Sequence, residues 1–367
     1  MSLLVNHLML SSILSSYGLQ ADQCEIHAFG TGLINNTWKI KHDGSEYILQ
    51  RINQNIFRNP PAIAENVRAM ADYLSVNSPD YLFVVPLTTL DDKDMVHDKK
   101  EGYFRLMPFI NRSRTYDVVT SPEIACEAAR EFGCFTKMLS GFEASALKVT
   151  VPDFHNLTLR YEQFETSLLN GNRERIEKAR EAVSFLLAQK NIVTEFEKIT
   201  KDENFKRRVT HHDTKISNVL FDDEGNGLCV IDLDTTMDGY FISDVGDMMR
   251  TYLSPYSEEE KDFTRIEVRD EYFLAIAKGY LQEMIEELTS SELDHFVYSG
   301  DFMIYMQAVR FLTDHFNNDI YYGAKYEGHN FVRAENQIAL LKNYQEKAPL
   351  FLEQVRLLAG SNYKQIK

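Results

Sequence analysis

The chain has 367 residues and a formal net charge of -16, with a pI near 5.1. A chain of this length predicts about two domains. The negative charge argues against a broad nucleic-acid-binding surface, because a phosphate backbone would be repelled and the sequence has no basic patch. The four cysteines form no CxxC pair, which argues against a disulfide framework or a structural zinc site and favours the reducing cytoplasm.

The first segment, "MSLLVNHLMLSSILSSYG", has apolar positions at helical spacing and lacks the basic start of a signal peptide. We therefore predict a packing helix there. No apolar run reaches about 18 residues, so no membrane span is predicted.

The next part of the chain predicts a sheet with one helix. From Ile26, "IHAFGTGLINNTWKIKHDGSEYILQRIN" favours three antiparallel strands, with "HDGS" as a tight turn. "PPAIAENVRAMADYL" predicts a helix packed against these strands. "YLFVVPLTTL" and "YFRLMPFI" predict two further strands, separated by the charged turn "DDKDMVHDKKEG". We expect this first lobe to cover residues 1–107.

Residues 108–367 are predicted to form a mainly helical second lobe, since helical periodicity dominates from Ser121 onward. A polar loop and two short strands interrupt this pattern between Thr210 and Thr236. The predicted fold class is α+β, with an antiparallel sheet plus helix in the first lobe and mostly helices in the second.

The interrupting stretch carries the chemistry. In "VTHHDTKISNVLF", "EGNG" and "LCVIDLDTT", a hairpin would place Asp213 and Asn218 at the mouth of one arm and Asp232 on the other. Strand alternation would put Asp232 and Asp234 on one face. Two carboxylates and an amide oxygen suit magnesium, which takes few protein ligands plus substrate phosphates. Asp213 is then left to face an acceptor hydroxyl.

The spacing HxDxxxxN, followed by an aspartate strand, is the arrangement of a kinase catalytic loop and its metal-binding aspartate. An acidic hairpin with solvated carboxylates is the plain alternative. A zinc site at His211 and His212 is less favoured, because adjacent side chains diverge. We expect His211 to brace the loop and His212 to point away.

Several stretches together resemble the aminoglycoside phosphotransferase and choline kinase superfamily, and within it the N-acetylhexosamine 1-kinases. They include "FGTGLINNTWKI", "YILQRIN", "VPDFHNLTLRY", "HHDTKISNVLFD", "LCVIDLDTTMDG" and "RFLTDHFNNDIYY", and span residues 26 to 325. The resemblance implies a protein-kinase-like fold, with Asp213 as the catalytic, acceptor-binding aspartate. It implies that Asn218 and Asp232 hold Mg²⁺ against the phosphates of ATP, and that Asp244 braces the catalytic loop.

The resemblance also implies a phosphate-covering loop at Gly30 and Gly32, in which Asn36 is a polar donor to substrate. A plain hairpin turn is the alternative for these glycines. Family members carry a basic residue on the following strand, where "YILQR" offers Gln50 or Arg51. We favour Arg51, because phosphate needs positive charge.

Glu65 is the partner implied for this base, unless it is simply an exposed helix charge. The backbone of Met107 to Phe109 would meet adenine, although a buried edge strand fits the same sequence. For the acceptor, Arg310 and Tyr321 would contact sugar hydroxyls. The alternatives are an ion pair of Arg310 with Asp314 and a tyrosine stacked in the core.

The implied function is a cytoplasmic, ATP-dependent and Mg²⁺-dependent kinase that phosphorylates the anomeric 1-hydroxyl of an N-acetylhexosamine such as GlcNAc or GalNAc. Its partners would be ATP and a small sugar, with no nucleic acid and no membrane. One alternative is a kinase of another hydroxylated acceptor, such as choline, homoserine, methylthioribose or an aminoglycoside. A catalytically inactive kinase-like binding protein is the other.

Overall fold

The computed structural model describes residues 2–30 and 34–365, so Gly32 lies outside the described residues. The chain begins with helix α1 (Ser2–Ser15). A five-stranded antiparallel sheet follows, in the order β1-β2-β3-β5-β4. Its strands are β1 (Glu25–Ala28), β2 (Asn36–His42), β3 (Ser45–Arg51), β4 (Val96–Asp98) and β5 (Gly102–Pro108).

The predicted "HDGS" turn between β2 and β3 is confirmed. His42 pairs with Ser45, and the residues between them, Asp43 and Gly44, have φ values of 47° and 76°. Two consecutive residues with positive φ match the right-handed twist of a tight hairpin, which explains the Asp-Gly sequence.

The two faces of the sheet have different roles. One face joins α1 in a separate small core, which contains Leu10, Ile13, Leu14, Ile40, Leu49, Phe104 and Leu106. Because side chains alternate along a strand, the residues between them lie on the opposite face. The opposite face presents Ile48, Gln50, Arg105 and Met107, which are aligned across β3 and β5.

The predicted strand over "YLFVVPLTTL" is wrong. Residues 82–89 adopt no regular structure, although the Leu87 N–H donates to Leu106 O on β5 at 2.7 Å. Pro86 has no N–H with which to extend this pairing into a ladder. Strand β4 forms instead inside the predicted charged turn, from Val96 to Asp98.

Helix α2 (Pro60–Asn77) forms as predicted, but it does not pack on the sheet core. Its apolar residues Ile63, Val67, Met70 and Leu74 belong to the large core of the helical part of the chain. Asn66 reinforces this placement, since its amide donates to Lys148 O and Thr236 O at 2.8 and 3.2 Å. Periodicity identified the buried face of α2 but not its packing partner.

The rest of the chain is a helical body around one large core. Its helices are α3 (Pro122–Met138), α4 (Leu157–Asn170), α5 (Arg173–Lys178), α6 (Arg180–Ala188), α7 (Asn191–Ile199), α8 (Phe241–Tyr252), α9 (Asp270–Met284), α10 (Ser290–Asp294), α11 (Tyr298–Phe316) and α12 (His329–Gln365). Helix α11 is largely buried, with apolar side chains around its whole circumference. Among the described helices, none is both long enough and apolar enough to cross a bilayer.

Two small hairpin-like pairs carry the candidate site on this body. Strand β6 (Arg208–Thr210) pairs with β9 (Met237–Gly239), and β7 (Val219–Phe221) pairs with β8 (Gly227–Val230). The loop from β6 to β7 and the loop from β8 to β9 therefore lie side by side.

Candidate active site

The loop between β6 and β7, residues 211–218, is held by two carboxylates of α8. Asp244 accepts hydrogen bonds from the backbone N–H groups of His211 and His212, at 3.0 and 2.7 Å. Asp247 accepts one from the Thr214 N–H at 2.9 Å. Both aspartates are buried, so these bonds are shielded from water. Asp244 thus braces the loop, as the family resemblance implied.

Asp213 is carried on this braced loop, next to a cation. Lys215 Nζ lies 2.9 Å from Asp213 Oδ2, and Asn218 Nδ2 donates to the Asp213 carbonyl at 2.9 Å. Burial acts to raise the pKa of Asp213, but the charge and hydrogen bond of Lys215 outweigh it and hold that pKa below its ordinary value. Asp213 is therefore ionised and able to accept a hydrogen bond. Lys215 was not singled out from the sequence, although it sits two residues after Asp213.

Asp232 is not on a strand, in contrast to the prediction. Strand β8 ends at Val230, and Asp232 has a left-handed backbone with φ 60°, immediately before a short 3-10 helix over Leu233–Thr235. Asp232 and Asp234 therefore do not share a strand face. The Ile231 N–H donates to Asn218 O at 2.8 Å, which holds the Asp232 turn against the loop between β6 and β7.

The donors here suit a divalent cation. Within the described chain, the Asp232 carboxylate accepts no hydrogen bond. Burial, followed by the charges of Asp234 and Asp213, raises the pKa of Asp232 to about 7. The side-chain N–H of Asn218 is engaged by the loop, which leaves its Oδ1 available as a ligand. The described residues hold no group of three or more His, Cys, Asp or Glu positioned to bind a metal. A small set of this kind fits magnesium, which completes its coordination with water and phosphate.

The cation that faces these carboxylates from the sheet is Arg105. Its guanidinium is 3% exposed, and Nη1 lies 2.5 Å from Asp234 Oδ1. Nε and Nη2 donate to Gln50 Oε1 at 3.0 and 2.7 Å. Asn35 Nδ2 donates to Asp234 Oδ2 at 2.8 Å. These contacts join the sheet to the helical body. We call the space between the two parts the cleft, and the face of the sheet that carries Arg105 the cleft face.

The prediction that Arg51 faces the phosphates is wrong. Arg51 lies on the other face of the sheet, where its Nη1 is 3.0 Å from Glu101 Oε2. Asn36 pairs with Arg51 in the strand register, so it shares that face, and it is exposed. Glu65 is exposed on α2 and forms no ion pair with any described residue. Side chains alternate along β3, so Gln50 rather than Arg51 lies on the face that carries Arg105.

The segment predicted to meet adenine is placed at the end of β5. Met107 lies opposite Ile48 on the cleft face. The Phe109 N–H donates to Glu46 O at 3.0 Å and is not free for a ligand. The Phe109 ring meets Phe29 edge-on, with centroids 6.0 Å apart. Gly30 follows Phe29 with φ 78°, a backbone conformation that favours glycine.

On the far side of the loop, a row of aromatic rings leads away from Asp213. His212 Nδ1 and His155 Nδ1 lie 3.0 and 2.5 Å from the Ser243 hydroxyl. Phe154 stacks on His155 with a centroid distance of 4.3 Å. Burial lowers the pKa of His212 to about 3 and that of His155 well below its ordinary value, so both rings are neutral at physiological pH. His212 points away from His211 as predicted, but it is buried in this row.

Arg310 lies at the end of the row, 5.8 Å from the Phe154 ring centroid. It donates to Gln307 Oε1 at 3.3 Å and to the Tyr321 hydroxyl at 3.4 Å. The alternative ion pair with Asp314 is wrong, because Asp314 accepts the backbone N–H groups of Tyr321 and Tyr322 instead. Tyr321 is 67% exposed, so it is not a core tyrosine.

Comparison with known proteins identifies the family of this chain. Residues 25–286, more than half of the chain, match the phosphotransferase enzyme family. The chain belongs to this family. As a phosphotransferase, it has the two-lobed, kinase-like α+β fold that the sequence predicted.

Solved structures of similar fold cover nearly all of this phosphotransferase. An aminoglycoside phosphotransferase from Alicyclobacillus acidocaldarius has a TM-score of 0.62 at 12% identity, covering 94% of this chain and 95% of its own. A microcompartment-associated aminopropanol kinase has a TM-score of 0.66 at 11% identity, covering 95% and 99%. An ethanolamine kinase from Plasmodium vivax has a TM-score of 0.55 at 15% identity, covering 89% and 85%. At these identities, the likeness shows the fold alone.

Proposed function

We propose that this phosphotransferase transfers the γ-phosphate of ATP to the anomeric 1-hydroxyl of an N-acetylhexosamine. The observation that carries the proposal is the position of Asp213. This ionised carboxylate lies between a group of polar residues on one side and a row of aromatic rings on the other. On one side lie Asn218 and Asp232, which suit a phosphate-bound Mg²⁺. On the other side lies the row of rings that ends at Arg310.

In the proposed reaction, the anomeric oxygen attacks the γ-phosphorus, the bond to the β-phosphate oxygen breaks, and ADP leaves. Asp213 orients the hydroxyl and accepts its proton. Lys215, 2.9 Å from Asp213, supplies positive charge beside the transferred group. Asn218 and Asp232 would hold Mg²⁺, which offsets the charge of the β and γ phosphates. Such a reaction depends mainly on positioning and charge stabilisation.

Arg105 is the residue that we propose for the ATP phosphates, in place of Arg51. It faces the cleft from β5, and Gln50 holds its Nε and Nη2 groups. A planar guanidinium fits phosphate oxygens in pairs. Met107 and Ile48 lie on the same face, which gives adenine an apolar contact surface next to this cation.

The residues around Arg310 support a sugar over a cationic acceptor. Phe154, Tyr321 and Tyr322 place their rings within 6 Å of its guanidinium. Rings together with hydrogen-bonding groups suit a sugar, whose faces are apolar and whose edge carries hydroxyls. An amino alcohol or aminoglycoside would bring its positive charge close to that of Arg310, which is unfavourable.

The test is to incubate the protein with ATP, Mg²⁺ and a panel of reducing sugars and amino alcohols. Phosphorus NMR then locates the new phosphate. We expect turnover with N-acetylhexosamines and phosphate on the anomeric oxygen. Phosphate on a primary hydroxyl, or turnover only with choline-like acceptors, would overturn the proposal.

A further inference from the structure

Two half-buried arginines, Arg160 and Arg310, lie near Phe154 at the end of the row of rings. Arg310 on α11 donates only to Gln307 and Tyr321, and both bonds are long. Arg160 on α4 donates to Gln163 Oε1 at 3.1 Å and to the Asp153 carbonyl at 2.7 Å. Its Nε is buried and has no hydrogen-bond partner. Neither guanidinium forms an ion pair with a described residue.

Three other buried or half-buried arginines of the chain each lie against a carboxylate. Arg105 lies against Asp234, Arg208 against Glu292, and Arg250 against Asp247. The sequence has 55 acidic residues, so carboxylates are plentiful. A half-buried guanidinium group loses hydrogen bonds to water, so it needs other acceptors or a negative charge to replace them. In the pocket, that partner is not supplied by the described part of the protein.

Both guanidinium groups lie near residues 153–154, since Arg160 Nη2 donates to the Asp153 carbonyl at 2.7 Å and Arg310 lies 5.8 Å from the Phe154 ring centroid. Burial, and next the positive charge of Arg310, lower the pKa of Arg160. The nearby His155 ring is neutral because burial, and next the charges of His212 and Arg310, lower its pKa. A negatively charged group between Arg160 and Arg310 would remove this repulsion and supply acceptors for their free N–H groups.

The arginines lie at the end of the pocket away from the reacting group. His212 directly precedes Asp213, and its ring meets that of His155 at a centroid distance of 5.2 Å. Phe154 stacks on His155, and Arg310 lies over Phe154. A sugar with its anomeric hydroxyl at Asp213 would therefore extend along these rings toward Arg310.

We propose that Arg160 and Arg310 bind an oxyanion, a carboxylate or a phosphate ester, that the acceptor sugar carries at the end opposite its reacting hydroxyl. This inference rests on the proposed function, because it places the acceptor sugar in this pocket. The protein would then prefer an acidic N-acetylhexosamine derivative over the neutral sugar.

Three matched ligands test the inference: N-acetylglucosamine, its C6 carboxylate (the uronic acid) and its 6-phosphate. They differ only at C6, so they separate neutral, carboxylate and phosphate forms. Binding to the whole protein is measured by calorimetry with ADP and Mg²⁺ present, and turnover is measured separately with ATP. We expect at least one anionic sugar to bind about tenfold or more tightly than the neutral sugar, the size expected for hydrogen bonds to charged groups.

The variants are Arg160→Gln and Arg310→Gln, with Arg173→Gln as the matched control. Arg173 is exposed on α5, and its side chain donates only to the Leu169 carbonyl. We expect each pocket variant to reduce the ratio of anionic to neutral affinity by about tenfold, whereas Arg173→Gln keeps the ratio of the parent protein. Raising the salt concentration should weaken the anionic ligands selectively.

The outcomes separate this inference from the proposed function. Equal or tighter binding of the neutral sugar overturns the inference and leaves the function standing. Anion binding that depends on Arg160 and Arg310, without phosphate transfer to C1, supports the anion site and overturns the function. Binding of none of the three sugars overturns both.

Discussion

The catalytic loop and the cleft face of the sheet hold their polar groups in different ways. The loop is fixed by the fold itself, because Asp244 and Asp247 of α8 accept its backbone N–H groups. The sheet face is held by side chains that reach across the cleft, chiefly Arg105 to Asp234. We infer that the loop has its final conformation before any ligand binds. The position of the sheet face instead depends on Arg105 and Asp234, which a bound nucleotide would contact directly.

The largest expected effect is in the loop. Asp213→Asn removes the carboxylate that we propose as the proton acceptor but keeps the shape of the side chain. We expect kcat to fall by about 10³-fold, with little change in the melting temperature, because α8 still holds the backbone. Asp223→Asn, at an exposed aspartate paired with Arg112, is the control. Turnover within tenfold of the parent protein would remove Asp213 from its proposed role.

The next effect concerns the sheet face. Arg105→Gln should raise KM for ATP by about tenfold or more, because the proposed hydrogen bonds to the charged phosphates would be lost. Arg51→Gln, whose parent side chain lies on the other face with Glu101, should change KM by less than twofold.

Arg105→Lys provides a second test if Arg105→Gln unfolds the protein through the unpaired Asp234. Lysine keeps the positive charge but cannot make the two hydrogen bonds that the guanidinium makes to Gln50. We therefore expect a KM for ATP between those of the parent protein and Arg105→Gln. Equal effects at positions 51 and 105 would contradict the assignment of the two faces.

A smaller effect, seen mainly in stability, is expected for Asp244→Asn. The amide has only one acceptor oxygen, so one of the loop N–H groups at His211 and His212 loses its partner. We expect the free energy of unfolding in urea to fall by about 1–3 kcal/mol. Asp117→Asn is the control, since Asp117 is exposed. An unchanged unfolding free energy would show that α8 does not fix the loop.

The smallest effect is expected for Glu65→Gln. Glu65 is exposed on α2 and has no ion pair among the described residues, so KM for ATP should stay within twofold of the parent value. Steady-state kinetics with varied ATP tests this. A tenfold rise would mean that Glu65 reaches the nucleotide and that α2 is not where the structure has it.

The sequence predicted the loop well and the sheet face poorly, for a physical reason. Asp213 and Asn218 are five residues apart, so local geometry alone brings them together. Arg105 and Gln50 are 55 residues apart, and only the register of β3 against β5 makes them neighbours. Alternation along "YILQR" does indicate that Gln50 and Arg51 face opposite ways, but the sequence does not show which face is turned toward the helical body.

Only some residues of the proposed acceptor pocket could be predicted from the sequence. Arg310 stood out because its neighbours on α11 are apolar. Phe154, His155 and Arg160 were missed, although they lie in a stretch that resembles the family. They come from the loop before α4 and from α4 itself, so tertiary packing rather than sequence spacing brings them to α11. The turn at Asp232 was missed because a left-handed backbone is usually indicated in a sequence by glycine, and this position is an aspartate.

The packing of α2 attaches this helix to the helical body rather than to the sheet. Its apolar face lies in the core of the helical body, and Asn66 hydrogen-bonds to the carbonyls of Lys148 and Thr236. A rigid rotation of the sheet with α1 would leave these bonds intact, whereas a rotation that included α2 would break them. The contacts of α2 therefore assign it to the helical body, although the helix lies between β3 and β4 in the chain.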